Sequence, residues 1–237
     1  MFKLSTPWNA FLDLIFPKKC FSCGQNGEFL CGHCLNSLNL PEIRCFACQK
    51  GDGAGFCSQC ASFFNLENLS VFWATDYKNL AIKKMIKTFK YRRAGVLTET
   101  LGEILSQRAK KFLIQNTSGA SLSLIIPVPL SPKRHRERGF NQAALIGQYL
   151  GQKNNLAFDP AVLLKIKNTS PQVKTAGRDE RLKNLKESFV VSDSQKILGK
   201  TVILIDDVLT TGATIMECAR ILQKAGAEKI IALVVAH

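Results

Sequence analysis

The stretch KTVILIDDVLTTGATIMECARILQKAGAEKIIALVVA, residues 200–236, decides the fold. It opens on an apolar run, Val202–Ile205, which meets two adjacent carboxylates, Asp206 and Asp207. A loop of Thr and Gly follows, then apolar residues at helical spacing, Gly226 as a helix stop, and a second apolar run. Strand, acidic turn, helix and strand in that order predict a βαβ unit. Its near-continuous apolar strands predict a parallel sheet covered on both faces. Burying neighbouring carboxylates is costly unless something compensates them, so a purely structural sequence rarely places a pair there. Ligands of open parallel sheets bind at the carboxyl ends of the strands, where Asp206 to Thr214 fall.

The loop itself suggests which ligand. Thr210, Thr211, Gly212, Ala213 and Thr214 supply hydroxyls and approachable backbone N–H groups at a helix start, a cradle for phosphate. No GxxxxGK[ST] loop is present. Two carboxylates just before the cradle can accept hydrogen bonds from vicinal hydroxyls, so the combination suits a ribose 5-phosphate.

Upstream, SLSLIIPVPL (residues 121–130) reads as a buried strand that Pro127 and Pro129 turn out of the sheet. SPKRHRERGFNQ (131–142) reads as a cationic loop carrying Lys133, Arg134, Arg136 and Arg138, with Asn141 opening the next helix. A cationic loop at a strand's carboxyl end is an anion receptor by position. The segment AVLLKIKN (161–168) is extended, and TSPQVKTAGRDERLKNLKESF (169–189) is long and polar enough for a mobile flap. Residues 78–113 show helical periodicity with Gly95 as a break. The polar face there carries Lys83, Lys84, Lys87, Lys90, Arg92 and Arg93. It reads either as a solvated face or, with Phe89 and Tyr91 interleaved, as a surface for a nucleic-acid backbone and its bases.

Eight of the nine cysteines form four CxxC pairs, Cys20/Cys23, Cys31/Cys34, Cys45/Cys48 and Cys57/Cys60. A two-residue spacer lets both thiolates reach one tetrahedral Zn²⁺ at about 2.3 Å. CFSCGQNGEFLCGHC and CFACQKGDGAGFCSQC repeat one design, that of a zinc ribbon. Consecutive pairs assign Cys20, Cys23, Cys31 and Cys34 to one Zn²⁺ and Cys45, Cys48, Cys57 and Cys60 to another, with an interleaved pairing also open. Closed Cys₄ sites have no vacant coordination position and are structural. His33 is a spacer within a complete site, and Cys218, in an apolar helical stretch, is a buried small hydrophobe.

The remaining features bound the class. In 237 residues, 46% are hydrophobic, enough for a sizeable core. The formal charge is +14, and residues 1–70 balance, so the basic excess lies beyond them and favours polyanionic partners. No run reaches the roughly 18–20 apolar residues that a membrane span needs, and the N-terminus lacks signal-peptide features. A cytoplasmic location is expected. STPWNAFLDLIFPKKC (5–20) predicts a helix between Thr6 and Pro17, which packs on the protein or anchors it to a surface. A linker is expected around residues 61–72.

VILIDDVLTTGAT (202–214) closely resembles the phosphoribosyl pyrophosphate (PRPP) signature of type I phosphoribosyltransferases. With PVPLSPKRHRERGFNQ (127–142) and the cysteine pairs, the whole chain resembles the ComF family of competence proteins, the ComFC or GntX-like proteins. The resemblance implies an α/β fold: a type I phosphoribosyltransferase-like parallel sheet flanked by helices over residues 67–237, preceded by a helix and double zinc-ribbon module over 1–66. It implies that Asp206 and Asp207 hold the ribose hydroxyls of PRPP and that Thr210–Thr214 hold its 5-phosphate. Val128 and Pro129 fall in the pyrophosphate loop, Arg138 in the RGFNQ signature, and Mg²⁺ bridges pyrophosphate and ribose. Thr169, Gln172, Arg181 and Asn184 match the family's flap. Lys165 stands where the family often has Arg, which keeps the charge and loses the bidentate fork.

By the same resemblance, the expected role is in DNA uptake and transformation. The expected partners are single-stranded DNA, bound by the cations at 83, 84, 87, 90, 92, 93, 133, 134 and 136, and a competence helicase or other DNA-processing protein. The acceptor of a phosphoribosyl transfer is not legible. The competing reading is a non-catalytic, zinc-containing DNA-binding adaptor that reuses the fold. A zinc-finger regulator is disfavoured, because the cysteine segment is charge-neutral and lacks a basic reading helix.

Overall fold

Strand β6 (Thr201–Val208) forms the middle of a parallel sheet and is buried for most of its length. In this computed structural model the described residues are 18–39, 41–51, 55–91, 94–117, 123–167 and 188–237. The expected N-terminal helix between Thr6 and Pro17, Arg92, Arg93, and the flap residues Thr169, Gln172, Arg181 and Asn184 lie outside them. The sheet order is β1-β7-β6-β2-β3, with β1 at Leu69–Thr75, β2 at Ser123–Pro127, β3 at Ala157–Phe158 and β7 at Lys229–Ala236. Every pairing in it is parallel, and the register sets Pro127 beside Ile205 and Asp206 beside Val234.

Both faces of the sheet are covered, which is why its central strands read as unbroken apolar runs. On one face Val202, Leu204, Ile230 and Ala232 pack with helix α7 (Ala213–Lys224) through Ile215, Met216 and Ala219. On the other, Ile203, Ile205, Ile231 and Leu233 pack with helices α3 (Leu80–Tyr91), α4 (Ala94–Asn116) and α6 (Gln142–Asn154). Adjacent strand residues therefore serve opposite cores. Gly95, expected as a break, lies inside α4 (Ala94–Asn116), and the residues between Tyr91 and Ala94 lie outside the described ones. A separate two-stranded antiparallel ribbon joins β4 (Leu163–Lys165) to β5 (Phe189–Val191).

The cysteine-rich segment is part of both cores. Cys20, Phe29, Leu30, Cys31 and Cys34 belong to the α3/α4 side, whereas Cys45, Phe46, Phe56 and Cys57 belong to the α7 side. The short helices α1 (Gly32–Asn36) and α2 (Ser58–Phe64) start from the second CxxC of each set, with Cys31 and Cys57 at their N-cap positions. The expected linker at 61–72 is instead the end of α2 and the start of β1, and Leu66, Leu69 and Val71 are buried there. Strand β1, LSVFWAT, is mostly apolar and buried, so composition there points to a strand and not to a linker.

The expected cationic loop contains a helix, α5 (Pro132–Arg138). Ser131 caps it by accepting from the Arg134 N–H, Pro132 sits in its first turn, and Gly139 ends it at φ 77°. These are ordinary start and stop signals, hidden in the sequence by the charge run between them. Among the described residues no helix is long and apolar enough to cross a membrane.

Leu204 is fully enclosed and Ile114 is largely exposed. Leu204→Ala is therefore expected to cost about 2–5 kcal/mol of unfolding free energy, and Ile114→Ala to change it by less than about 0.5 kcal/mol, both read by urea titration.

Candidate functional site

Asp206 and Asp207 reach the carboxyl rim of the sheet on successive residues of β6, so their side chains leave on opposite faces. Asp207 belongs to the face of α3, and Lys90 near the end of that helix places its Nζ 3.0 Å from Asp207 Oδ2. Asp206 lies on the face of α7. Its Oδ1 accepts the Asp207 N–H at 2.8 Å. Burial, reinforced by the charge of Asp207, pushes the Asp206 carboxyl up to about 7, against the pull of Lys90 and Arg134. The pair thus consists of one carboxylate compensated by an ammonium and one carboxyl that holds its proton unusually tightly.

A cavity of about 260 Å³ opens over the pair. Strand β2 supplies the opposite wall: the Val128 N–H donates to Ile205 O at 2.8 Å, extending the ladder before Pro129 turns the chain away. Arg134 and Arg138, one turn apart on α5, both line the cavity. Arg138 donates to Gln142 Oε1 at 2.9 Å, and Gln142 Nε2 donates to the Lys90 carbonyl at 3.4 Å. Asn141 Nδ2 donates to Val128 O at 3.0 Å while its Oδ1 accepts the Ala143 N–H at 3.0 Å, capping α6. The RGFNQ segment therefore ties together the β2 loop, the start of α6 and the end of α3. Lys165, from β4, completes the ring of cations. Burial and the nearby Arg134 hold its ammonium below the ordinary lysine value.

The structure brings Val128, Pro129, Arg138, Asp206, Asp207, Thr210 and Thr214 to this cavity. Thr211 is half-buried, and Gly212 and Ala213 are buried. The cations read as a nucleic-acid surface divide. Lys90 and Arg134 line the cavity, whereas Lys84, Lys87, Lys133 and Arg136 are exposed and Lys83 is half-buried with its Nζ 5.8 Å from the Tyr77 ring centre. Tyr77, just beyond β1, lines the cavity and was not singled out in the sequence, because the start of β1 fell in the expected linker and no strand was expected to end there. A residue at the carboxyl end of a parallel strand would otherwise have been a candidate.

In each cysteine cluster the four Sγ atoms lie within 4.8 Å of one another, in the consecutive pairing Cys20/23/31/34 and Cys45/48/57/60. Tetrahedral ligands at a Zn–S distance of about 2.3 Å stand about 3.8 Å apart. The Cys23–Cys31 and Cys48–Cys57 sulfur separations are 3.8 and 3.7 Å. Both clusters could hold Zn²⁺. Gly24 and Gln49, each directly after its first CxxC, share a left-handed backbone at φ 82° and 63°, so the two knuckles repeat one turn.

The fold and site define a protein with a phosphoribosyl transferase domain: residues 154–237 match the family model of that description. The chain is similar to competence and DNA-utilization proteins along most of its length. It is 29% identical to Competence protein F of Haemophilus influenzae over 84% of this chain and 81% of that protein. It is also 29% identical to Competence protein ComFC of Bacillus subtilis, over 95% and 86%. DNA utilization protein YhgH of Salmonella typhimurium is 30% identical over 62% of this chain, which spans 63% of that protein. Among solved structures, a glutamine PRPP amidotransferase from B. subtilis in complex with ADP and GMP aligns at 14% identity and a TM-score of 0.37. It covers 58% of this chain and 25% of that one.

Two expectations follow. Native mass spectrometry should find two Zn²⁺ per chain, falling to one when Cys23 and Cys34 are both replaced by Ala. For Asp206, a folded pKa of about 7 against an ordinary 3.8 means the folded state keeps its proton longer than the unfolded chain. This stabilising contribution is complete below the unfolded value and is lost as pH rises through about 7. Asp206→Asn removes that loss, so its urea midpoint should rise relative to the parent protein between pH 5 and 8.

Proposed function

We propose that the cavity binds PRPP with Mg²⁺ and that the chain serves DNA uptake or utilization as a phosphoribosyltransferase-like protein. The observation that carries this reading is the acidic pair at the end of β6, set directly before the Thr210–Thr214 loop and faced by Lys90, Arg134, Arg138 and Lys165. Polyanion binding alone accounts for the cations, and it gives no reason for two carboxylates among them. A sugar phosphate accounts for both. Asp206 and Asp207 accept from the ribose hydroxyls, the start of α7 takes the 5-phosphate, and the Val128–Leu130 loop with Arg134 and Lys165 faces the pyrophosphate. The carboxylate oxygens are hard donors of the kind Mg²⁺ takes, and the ion would neutralise pyrophosphate charge there. Lys90 keeps Asp207 compensated before a ligand arrives.

The reaction class such a site serves is displacement of pyrophosphate at the anomeric carbon, in which the protein's work is positioning and charge stabilisation. The role in DNA handling rests on the competence and DNA-utilization relatives. Exposed Lys84 and Lys87 on α3 and Lys133 and Arg136 on α5 supply a cationic surface beside the cavity for single-stranded DNA. That surface also favours the second reading, a zinc-containing DNA-binding adaptor in which no transfer takes place.

Calorimetric titration with PRPP and Mg²⁺, beside an Asp206→Asn/Asp207→Asn variant, separates them. Binding that vanishes in the variant supports the pocket, and absence of binding by the folded parent leaves only the adaptor. Ribose hydroxyls donate to the ionised carboxyl, so PRPP affinity should rise as pH passes from 6 to 8, with proton release on binding detectable in buffers of different ionisation enthalpy. Single-stranded DNA affinity should fall on a log–log salt plot with a slope of about 0.7 per phosphate neutralised, and Lys84→Ala/Lys87→Ala should make that slope shallower while PRPP binding is unchanged.

A further inference from the structure

The two cysteine clusters share a design but not a position, and one of them touches the phosphate loop. Phe46 lies between ligands Cys45 and Cys48. Its N–H donates to Gly55 O at 3.0 Å, and its ring stacks on Phe56 with centroids 5.0 Å apart. The ring is buried and lies against Gly212, where an added Cβ would come within 2.0 Å of Phe46 Cε2 and 2.4 Å of Cδ2. Gly212 is the N-cap of α7 at φ 76°, and its carbonyl accepts the Met216 N–H at 2.9 Å. A glycine in a left-handed conformation is the freest residue in the loop, so its position needs an outside wall. Phe46 is that wall. The matching residue of the other cluster, Phe21, is on the opposite side of the sheet, 6.0 Å from Phe29 and beneath Lys84.

We propose that Phe46 is a positioning residue for the phosphate-binding loop, and that the Cys45/Cys48/Cys57/Cys60 site, but not the Cys20/Cys23/Cys31/Cys34 site, sets the protein's affinity for a ribose 5-phosphate group. The inference rests on the PRPP reading of the cavity. The metal-bound knuckle fixes the backbone on either side of Phe46, the ring fixes Gly212, and Gly212 aims the first N–H groups of α7. Loss of the ring leaves those donors in place but unoriented, so ordering them falls on the ligand and weakens it. Loss of metal from this cluster acts by the same route. Loss from the other cluster disturbs the α3/α4 core and does not reach the loop.

The test uses the full zinc-loaded chain and titrates PRPP with Mg²⁺ into the parent protein, Phe46→Ala, Phe46→Leu, Phe21→Ala and Asp207→Asn. Zinc content and amide hydrogen exchange over residues 209–216 are measured on each. Phe46 offers no ligand atom, so Phe46→Ala is expected to keep both Zn²⁺, weaken PRPP at least about tenfold, and speed exchange over 210–214. Phe46→Leu should fall between, and it replaces the Ala variant if that one does not fold. Phe21→Ala should match the parent in affinity and loop exchange. Parent-like affinity and exchange in both Phe46 variants overturn the proposal, as does an equal loss in Phe21→Ala. If neither the parent nor Asp207→Asn binds PRPP, the PRPP reading fails. The proposal is then judged by loop exchange alone, and unchanged exchange in the Phe46 variants overturns it.

Discussion

The ion pair between Lys90 and Asp207 holds the architecture and the site together. Strand β6 is enclosed on both faces and ends in two carboxylates, which the sheet places where solvent is scarce. An uncompensated carboxylate there would cost more than most single contacts in the protein contribute. Helix α3 has to end at this rim, and Gln142 holds that end by donating to the Lys90 carbonyl. Gln142 is in turn engaged by Arg138, and its neighbour Asn141 holds the β2 loop. One electrostatic demand thus accounts for the placement of a helix, a capping segment and a loop that are distant in sequence.

Asp206 meets the same demand differently. It forms no ion pair among the described residues, and its carboxyl is raised by burial and by the charge of Asp207, so it holds its proton more tightly. Two adjacent acids thus sit in unlike environments, one paired with an ammonium and one with its carboxyl raised by burial. Lys165, with its ammonium weakened by burial, faces the same space. The cavity lining therefore carries more cations than anions, with Lys90, Arg134, Arg138 and Lys165 around the two acids.

The cysteine clusters act as rivets through the fold. A chain entering from its amino-terminal side closes the α3/α4 core with one cluster and the α7 core with the other, so the two faces of the sheet are each finished by a knuckle. Each cluster gathers four sulfurs within 4.8 Å of one another, and a metal ion held there would cross-link the segments that carry them. The stacked rings of Phe46, Phe56 and Phe64 extend from the second cluster towards the sheet.

The parallel sheet, the acidic turn and the four cysteine pairs were legible in the sequence, because each is written in adjacent residues. Apolar runs buried on both sides, a carboxylate pair before a Thr/Gly loop, and thiols two apart carry their meaning locally. Strand β1 and helix α5 were not read: the mostly apolar Leu69–Thr75 begins inside the stretch taken as a linker, and a dense charge run hid the Ser131 cap and the Gly139 stop. Only the tertiary structure decided that Lys90 and Arg134 turn into the cavity while Lys84 and Lys87 stay on the surface, because that depends on where the end of α3 and helix α5 meet the rim of the sheet. It alone brought Tyr77 to the rim and Phe46 against Gly212, 166 positions away in the chain. Sequence by itself determined the chemistry available and the order of elements. Which groups meet was decided by packing, because contact between distant segments depends on the strand order and helix orientations that cover both faces of one sheet.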